Sequence, residues 1–180
     1  MTTWMQYAID PLRTVLFINT DEISTSLEER IHGAIVNRVE AYIIVSILQT
    51  LTTWGGLDGT NLGVIAPYRS QVRTVKTLLE KTTLNGISAS TSTTGIEVAT
   101  VDKYQGKDKD VVLLSLVRSN VDRHMGELWS DERRVNVALT RAKQKLILVG
   151  SGKTIQGSPI LTSLWSMIQR NQWVRYTKKL

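Results

Sequence analysis

Short apolar runs that alternate with amphipathic segments constrain the fold of this 180-residue chain more than any other feature. Most of the runs are unbroken, which is typical of strands buried on both faces of a sheet. The segments between them carry apolar residues three or four positions apart, as a helix with one buried face does. The pattern predicts five strands, at residues 15–19, 63–66, 96–101, 111–117 and 146–149.

The predicted helices begin at residues that favour helix starts. Asn37 precedes a helical pattern that runs to position 51, a second helix follows Pro67 and Tyr68, and Ser158 with Pro159 opens a last one. A Thr- and Ser-rich stretch at 82–95 is predicted to be a loop of low order. Strands that alternate with helices predict one α/β domain over residues 1–180. Its three layers would hold a mostly parallel sheet of about five strands between helices.

Composition narrows the class of protein. The formal net charge of +6 favours a polyanionic partner. The chain has no cysteine, which excludes disulfides and thiolate metal ligands within it, and His32 and His124 lack the spacing of a metal site. No apolar run approaches the roughly 18 residues that cross a bilayer, and residues 1–6 do not resemble a secretion signal. We therefore expect neither membrane association nor a metal held by this chain alone.

Polar side chains follow three of the predicted strands at the points where they end. Tyr68 and Arg69 come after the second strand, Lys103 after the third and Arg118 after the fourth. Carboxyl ends of parallel strands meet at one edge of a sheet, where ligands of such folds bind. Cations beside an aromatic ring suit contacts with a nucleic-acid backbone. Taken singly, each residue fits a packed turn or a solvated charge run as well.

The segment from Arg134 to Arg141 is predicted to be a short helix that leads directly into the last strand. At about 3.6 residues per turn, Arg134, Ala138 and Arg141 would share one face of it. Two guanidiniums would then stand on a face that is otherwise small or apolar. This arrangement is typical of a phosphate clamp supplied by a neighbouring domain, because arginine offers a planar, permanently charged donor fork.

The stretch at 150–154, Gly-Ser-Gly-Lys-Thr, imitates the end of a phosphate-binding P-loop. The full motif needs a further glycine where this chain has Ile147, inside a predicted strand. The chain also lacks an apolar strand that ends in Asp-Glu and could hold magnesium. It therefore has groups that can assist a bound nucleotide but none that can hold one alone.

Longer stretches match sequence motifs of one family of motor proteins. Residues 64–71 resemble motif IV, residues 97–110 motif V and residues 133–142 motif VI of superfamily-one helicases of the nonsense-decay-factor type. Residues 37–41 resemble a further short motif, and the whole resemblance covers positions 14–175. Within the family, segments 102–106, 117–120 and 140–147 are similar to the replication helicase/nucleases that trim Okazaki-fragment flaps. Residues 171–174 also resemble fungal members.

The resemblance implies the second, C-terminal RecA-like motor domain of a two-domain motor, a P-loop NTPase fold without its own P-loop. ATP with magnesium would lie between it and a first motor domain that is absent from this chain. Arg141 would be the arginine finger on the γ-phosphate, and Arg134 would brace the cleft. Gln105 and Gly106 would couple the state of the bound nucleotide to the binding of the DNA strand. Asp108 would lie near the ribose of the nucleotide, at a position where relatives often have Glu.

The residues expected to face single-stranded DNA are Pro67, Tyr68, Arg69, Thr100, Lys103 and Arg118. The resemblance implies a nuclear, 5′-to-3′ ATP-dependent DNA helicase whose first motor domain and nuclease domain are partners of this one. We expect this chain by itself to be monomeric and inactive. Two alternatives stay open: an RNA helicase of the nonsense-decay or splicing type, and a non-catalytic basic module that binds single strands.

Overall fold

The computed structural model describes residues 3–84, 95–168 and 173–175. Within these ranges the strands are β1 (Val15–Asn19), β2 (Glu29–Ile31), β3 (Ala34–Val36), β4 (Leu62–Ala66), β5 (Glu97–Thr100), β6 (Lys109–Ser115), β7 (Ala142–Gly150) and β8 (Trp173–Arg175). Six of them form one sheet in the order β5-β4-β6-β7-β1-β8, and every pairing in it is parallel. β2 and β3 form a separate antiparallel hairpin.

The helices in the described ranges are α1 (Thr3–Ile9), α2 (Arg38–Thr53), α3 (Arg69–Leu84), α4 (Glu132–Leu139), α5 (Gly152–Ile155) and α6 (Pro159–Met167). Shorter 3₁₀ turns occupy Gly59–Asn61, Val101–Lys103 and Glu127–Ser130. Successive strand residues point to opposite faces of a sheet. Leu16 and Ile18 of β1 accordingly pack in a core with α1, α2 and α3. Phe17 packs in a second core with α4 and α6. The two cores lie on opposite faces of the sheet, so the sheet is the middle one of three layers.

The predicted α/β fold is confirmed, with differences at its margins. The five predicted strands correspond to β1, β4, β5, β6 and β7, and β8 adds a sixth beside β1. Asn37 caps α2 by accepting the backbone N–H of Glu40 at 3.0 Å, and Ser158 caps α6 by accepting that of Leu161 at 3.4 Å. The β2–β3 hairpin lies between the first predicted strand and the helix predicted after Asn37, where the sequence predicts no strand, and α1 and α5 are additional helices.

The end of one helix differs from prediction. α3 continues through Leu84, into the stretch predicted as a loop at 82–95, and residues 85–94 lie outside the described residues.

α1 ends against a buried cation: Lys145 Nζ donates to the carbonyl oxygens of Tyr7 at 3.2 Å and Asp10 at 2.7 Å. A cation is favourable at a helix C-terminus because it faces unpaired carbonyls. Burial nevertheless lowers the pKa of Lys145 to about 8.

Candidate functional site

The carboxyl ends of β4 and β5 lie side by side, with Ala66 paired to Thr100. The residues that follow these two strands therefore meet at one place, as the sequence predicts. Arg69 in the first turn of α3 and Lys103 at the end of the 3₁₀ turn are exposed, and Thr100 is half-buried. All three line one open groove of about 490 Å³. This part of the predicted strand-binding set is accessible to a ligand.

Two residues predicted to face a strand lie beneath the surface. Pro67 is buried where β4 gives way to α3. The Arg118 side chain is only 4% exposed, and its Nε lies 2.7 Å from a carboxylate oxygen of Glu28. Tyr68 is half-buried, and its hydroxyl accepts a hydrogen bond from the same guanidinium. Both side chains are used inside the domain in this structure, and their contact with DNA stays a prediction.

Glu28 organises the loop after β6, a role that no local sequence pattern predicts. Besides Arg118, its carboxylate accepts the backbone N–H of Ser119 at 3.1 Å and Nδ2 of Asn120 at 2.9 Å. Burial alone would raise the pKa of Glu28, but the hydrogen bonds from Arg118 and Asn120 outweigh it and hold the pKa below its usual range. Glu28 and Arg118 therefore hold the loop after β6 in place from inside the domain.

A second group of predicted residues lies along the connection from β5 to β6, residues 101–108. β5 ends at the carboxyl edge of the parallel sheet and β6 begins at the amino edge, so this connection crosses the sheet from one edge to the other. Tyr104 in its middle is fully buried. An ideal Cβ on Gly63 of β4 would lie 1.6 Å from the Tyr104 hydroxyl, so only glycine leaves room for this ring. Gly106, at a φ of +78°, makes the following turn.

α4 runs beside this connection, and an ion pair joins the two segments near each end. Arg134 Nε lies 3.1 Å from Asp102 in the 3₁₀ turn. Arg141 Nη1 lies 2.9 Å from Asp108. Asp102, Gln105 and Arg134 also line a cavity of about 230 Å³. The predicted nucleotide residues are thus brought together, with Gln105 and Gly106 exposed between the two ion pairs.

The position of Arg141 differs from the predicted one. α4 ends at Leu139, and Arg141 stands between that helix and β7, so it does not share a helix face with Arg134 and Ala138. Ala138 is buried in the core. The Arg141 side chain is 21% exposed and also donates to the carbonyl of Val137 and the hydroxyl of Thr140, both at 3.1 Å. Its carboxylate partner, Asp108, is 49% exposed, so an incoming phosphate can reach this pair.

The stretch at 150–154 does not form a phosphate site. Its helix, α5, has a single turn, which the sequence does not predict before Pro159. The carboxylate of Asp21 occupies the N-terminus of that turn: it accepts Ser151 Oγ at 2.6 Å and the backbone N–H of Lys153 at 3.1 Å. Asn19 Oδ1 accepts the N–H of Gly152 at 3.1 Å. The donors that would cradle a phosphate are therefore satisfied internally.

A buried polar network behind the carboxyl edge has no predicted counterpart. Gln71 exchanges two hydrogen bonds of 2.9 Å with the backbone of Asn37, which ties the start of α3 to the start of α2. Glu40, fully buried, accepts Ser115 Oγ at 2.7 Å and the N–H of Val117 at 2.8 Å. Burial raises the pKa of Glu40 to about 8. The network therefore fixes both helices to the end of β6.

The polar network holds Val117 in an unfavourable backbone conformation. Its φ of +66° is rare for a β-branched residue and costs free energy. Its N–H donates to Glu40, and its carbonyl accepts Asn37 Nδ2 at 3.3 Å. The resemblance of residues 37–41 to a helicase motif singles out Asn37 and Glu40 but does not indicate this role.

No group of three His, Cys, Asp or Glu side chains in the described part of the chain could hold a metal ion. Among the described helices, none is long and apolar enough to cross a membrane.

Comparisons with known proteins agree with these features. The model of the AAA_12 family, an AAA domain, matches residues 1–153. The DNA replication ATP-dependent helicase/nuclease DNA2 of Mus musculus is 42% identical over 171 residues, which are 95% of this chain and 15% of that protein. DNA2 of Homo sapiens is 41% identical over 161 residues, 89% of this chain and 14% of that protein.

A yeast relative matches in sequence, and a solved bacterial structure matches in fold. DNA2 of Saccharomyces cerevisiae is 33% identical over 95% of this chain and 11% of its own length. A crystal structure of the C-terminal domain of a possible DNA helicase from Lactobacillus plantarum WCFS1 shares the fold, with a TM-score of 0.51 and 12% identity over 97% of this chain and 96% of that one. The chain thus spans only a small part of the curated relatives that it matches. It belongs to the AAA_12 family of AAA domains and is homologous to one segment of the DNA2 helicase/nucleases.

Proposed function

We propose that this chain is the C-terminal motor domain of an ATP-dependent DNA helicase/nuclease that acts in the nucleus. In this proposal it supplies Arg141 to an ATP molecule held by a first motor domain and supplies part of the track for single-stranded DNA. The observation that carries the proposal is the connection at 101–108. It begins beside Thr100 and Lys103 at the carboxyl edge and ends beside Asp108 and Arg141 at the amino edge.

The residues present fit a shared nucleotide site rather than a complete one. Asp21 fills the helix N-terminus that resembles a P-loop, so this chain offers no backbone cradle for phosphates there. It does offer an accessible guanidinium, Arg141, whose carboxylate partner is half-exposed. ATP with magnesium, when bound by the neighbouring domain, supplies the phosphoryl group whose transfer to water drives movement. Arginine suits this position because its fork matches phosphate oxygens.

The chain's own residues would then act in sequence. Arg141 leaves Asp108 and donates to the phosphate oxygens, which draws the end of α4 toward the neighbouring domain. The Arg134–Asp102 pair ties α4 to the 3₁₀ turn that holds Lys103, so these segments move together. Because Tyr104 is locked in the core, the connection moves with the domain instead of deforming within it. Lys103, Thr100 and Arg69 shift along the strand, and repeated closure moves the protein along it in the 5′-to-3′ direction that the family resemblance implies.

The test is ATP hydrolysis by the full-length protein with Arg141→Ala. Arginine fingers contribute about 10³–10⁵ in turnover, so we expect a loss of at least about 10³. DNA affinity without nucleotide should change less than about twofold. The matched control is Lys143→Ala, which removes an exposed cation two residues away and should hydrolyse ATP normally. Normal hydrolysis by Arg141→Ala, or hydrolysis by the 180-residue chain alone, would contradict the proposal.

A further inference from the structure

A basic groove runs between α3 and β5, the edge strand of the sheet, and continues away from the residues already assigned to strand contact. We call it the α3 groove and define it by five cationic side chains: Arg69, Arg73, Lys76, Lys103 and Lys107. Arg69 and Lys103 belong to the proposed strand track. Neither the family motifs nor the comparisons assign a role to Arg73, Lys76 or Lys107.

The α3 cations form a row along one helix face. Arg69, Arg73 and Lys76 are spaced four and three residues apart, which places them on the same side of α3. All three are exposed. At about 1.5 Å per residue the row is about 10 Å long, which spans two to three phosphates at the roughly 3.4 Å spacing that one strand has in a B-form duplex. A row of this length matches a backbone of regularly spaced phosphates better than it matches one compact anion.

The carboxylates of the groove do not cancel this row. Glu97 is paired with Lys107 at 2.8 Å on the opposite wall. Glu80 lies one turn beyond Lys76, at the far end. Among the described residues, neither Arg73 nor Lys76 has a carboxylate oxygen within 4 Å. Their charges are therefore available to a ligand.

The lining also indicates which part of a nucleic acid would bind. None of the described residues that line the groove is aromatic, so it offers no ring on which a base could stack. Cations and hydroxyls contact phosphates without reading sequence. We propose that the α3 groove binds the phosphate backbone of single-stranded DNA as it leaves the carboxyl edge of the sheet, which extends the track by two to three nucleotides. This inference rests on the strand-binding half of the proposed function.

The test measures how the affinity of the 180-residue chain for fluorescein-labelled oligo(dT) depends on salt, by anisotropy between about 50 and 200 mM KCl. Each single-strand phosphate contact contributes about 0.7 to the slope of log K against log salt. The double variant Arg73→Gln/Lys76→Gln should reduce the slope by about 1.4. Glutamine keeps helix propensity on an exposed face, and circular dichroism checks the fold. The control Lys143→Gln/Lys153→Gln removes two exposed cations outside the groove and should leave the slope unchanged.

A second pair of variants separates this inference from the proposed function. If Arg69→Gln/Lys103→Gln lowers the slope and Arg73→Gln/Lys76→Gln does not, the strand takes another path and the groove is not part of the track. If neither pair changes the slope, the strand-binding half of the proposed function fails as well. Competition by polyglutamate as effective as competition by unlabelled oligo(dT) would also overturn the inference, since it would indicate a site for acidic peptides.

Discussion

Glu40 offers a test of the buried network in which burial and hydrogen bonding act in opposite directions. Burial raises its pKa from 4.5 to about 8, although Ser115 and the backbone N–H of Val117 donate to the carboxylate and act against this shift. The nearby charge of Glu28 adds to the rise. Between these two pH values the folded chain holds a proton that the unfolded chain has released. The free energy of unfolding must therefore fall as pH rises through this window.

The magnitude follows from one proton. A difference of one bound proton changes the free energy of unfolding by about 1.4 kcal/mol per pH unit, so the loss between pH 5.5 and 7.5 is about 3 kcal/mol. Glu40→Gln has no such proton and should lose nothing through this carboxyl. Subtracting its unfolding free energy from that of the wild type at each pH cancels the contribution of every other group, as long as those groups keep their surroundings.

The assay is urea unfolding of the 180-residue chain at pH 5.5, 6.5 and 7.5, followed by tryptophan fluorescence. Glu132→Gln, which removes an exposed carboxyl from α4, is the matched control and should follow the wild type. A difference between wild type and Glu40→Gln that stays constant with pH would refute the reasoning. Such a constant difference would mean that the donors at Ser115 and Val117 keep the carboxylate charged in the folded chain despite its burial.

Two further predictions concern packing and are checked by the same unfolding assay. Arg118→Ala should destabilise the chain by about 3 kcal/mol because it leaves Glu28 buried without its buried cation. The control is Arg30→Ala, which removes a mostly exposed partner of Glu28 and should cost less than about 1 kcal/mol. Equal losses would contradict this. Gly63→Ala should cost about 1–3 kcal/mol of stability by forcing the Tyr104 ring from its place. Tyr104→Phe should change stability by less than about 1 kcal/mol, because the buried hydroxyl of Tyr104 has no partner among the described residues. A large loss in Tyr104→Phe would show that the hydroxyl is bonded.

The sheet could be predicted from the sequence because its strands are buried on both faces. Their apolar runs need no knowledge of distant residues, and five of the six strands in the sheet were identifiable in this way. The hairpin of β2 and β3 could not be found, since its strands are short and mostly exposed and carry no buried pattern. A two-residue turn at His32 and Gly33, both with positive φ, connects the two strands, and the glycine alone indicates such a hairpin only weakly.

The site was predictable where local sequence decides a position and not where a distant partner does. Residues 140 and 141 continue a helical pattern in the sequence. In the structure the carbonyl of Arg141 accepts the backbone N–H of Lys109 where β6 and β7 pair, so the helix ends before Arg141. Arg118 looks like a surface cation in sequence. Its partner, Glu28, lies 90 positions away, and only the folded chain brings them together.

The central proposal is that nucleotide and DNA are coupled through residues 101–108 and Arg141, which lies between α4 and β7. The most direct measurement is the affinity of the full-length protein for oligo(dT) with and without a non-hydrolysable ATP analogue. Coupling between two sites commonly changes affinity by about 5–150-fold, and we expect at least a fivefold change in the wild type. Arg141→Ala should retain the nucleotide-free affinity and lose this change. A fivefold change that persists in Arg141→Ala, or its absence from the wild type, would contradict the proposal.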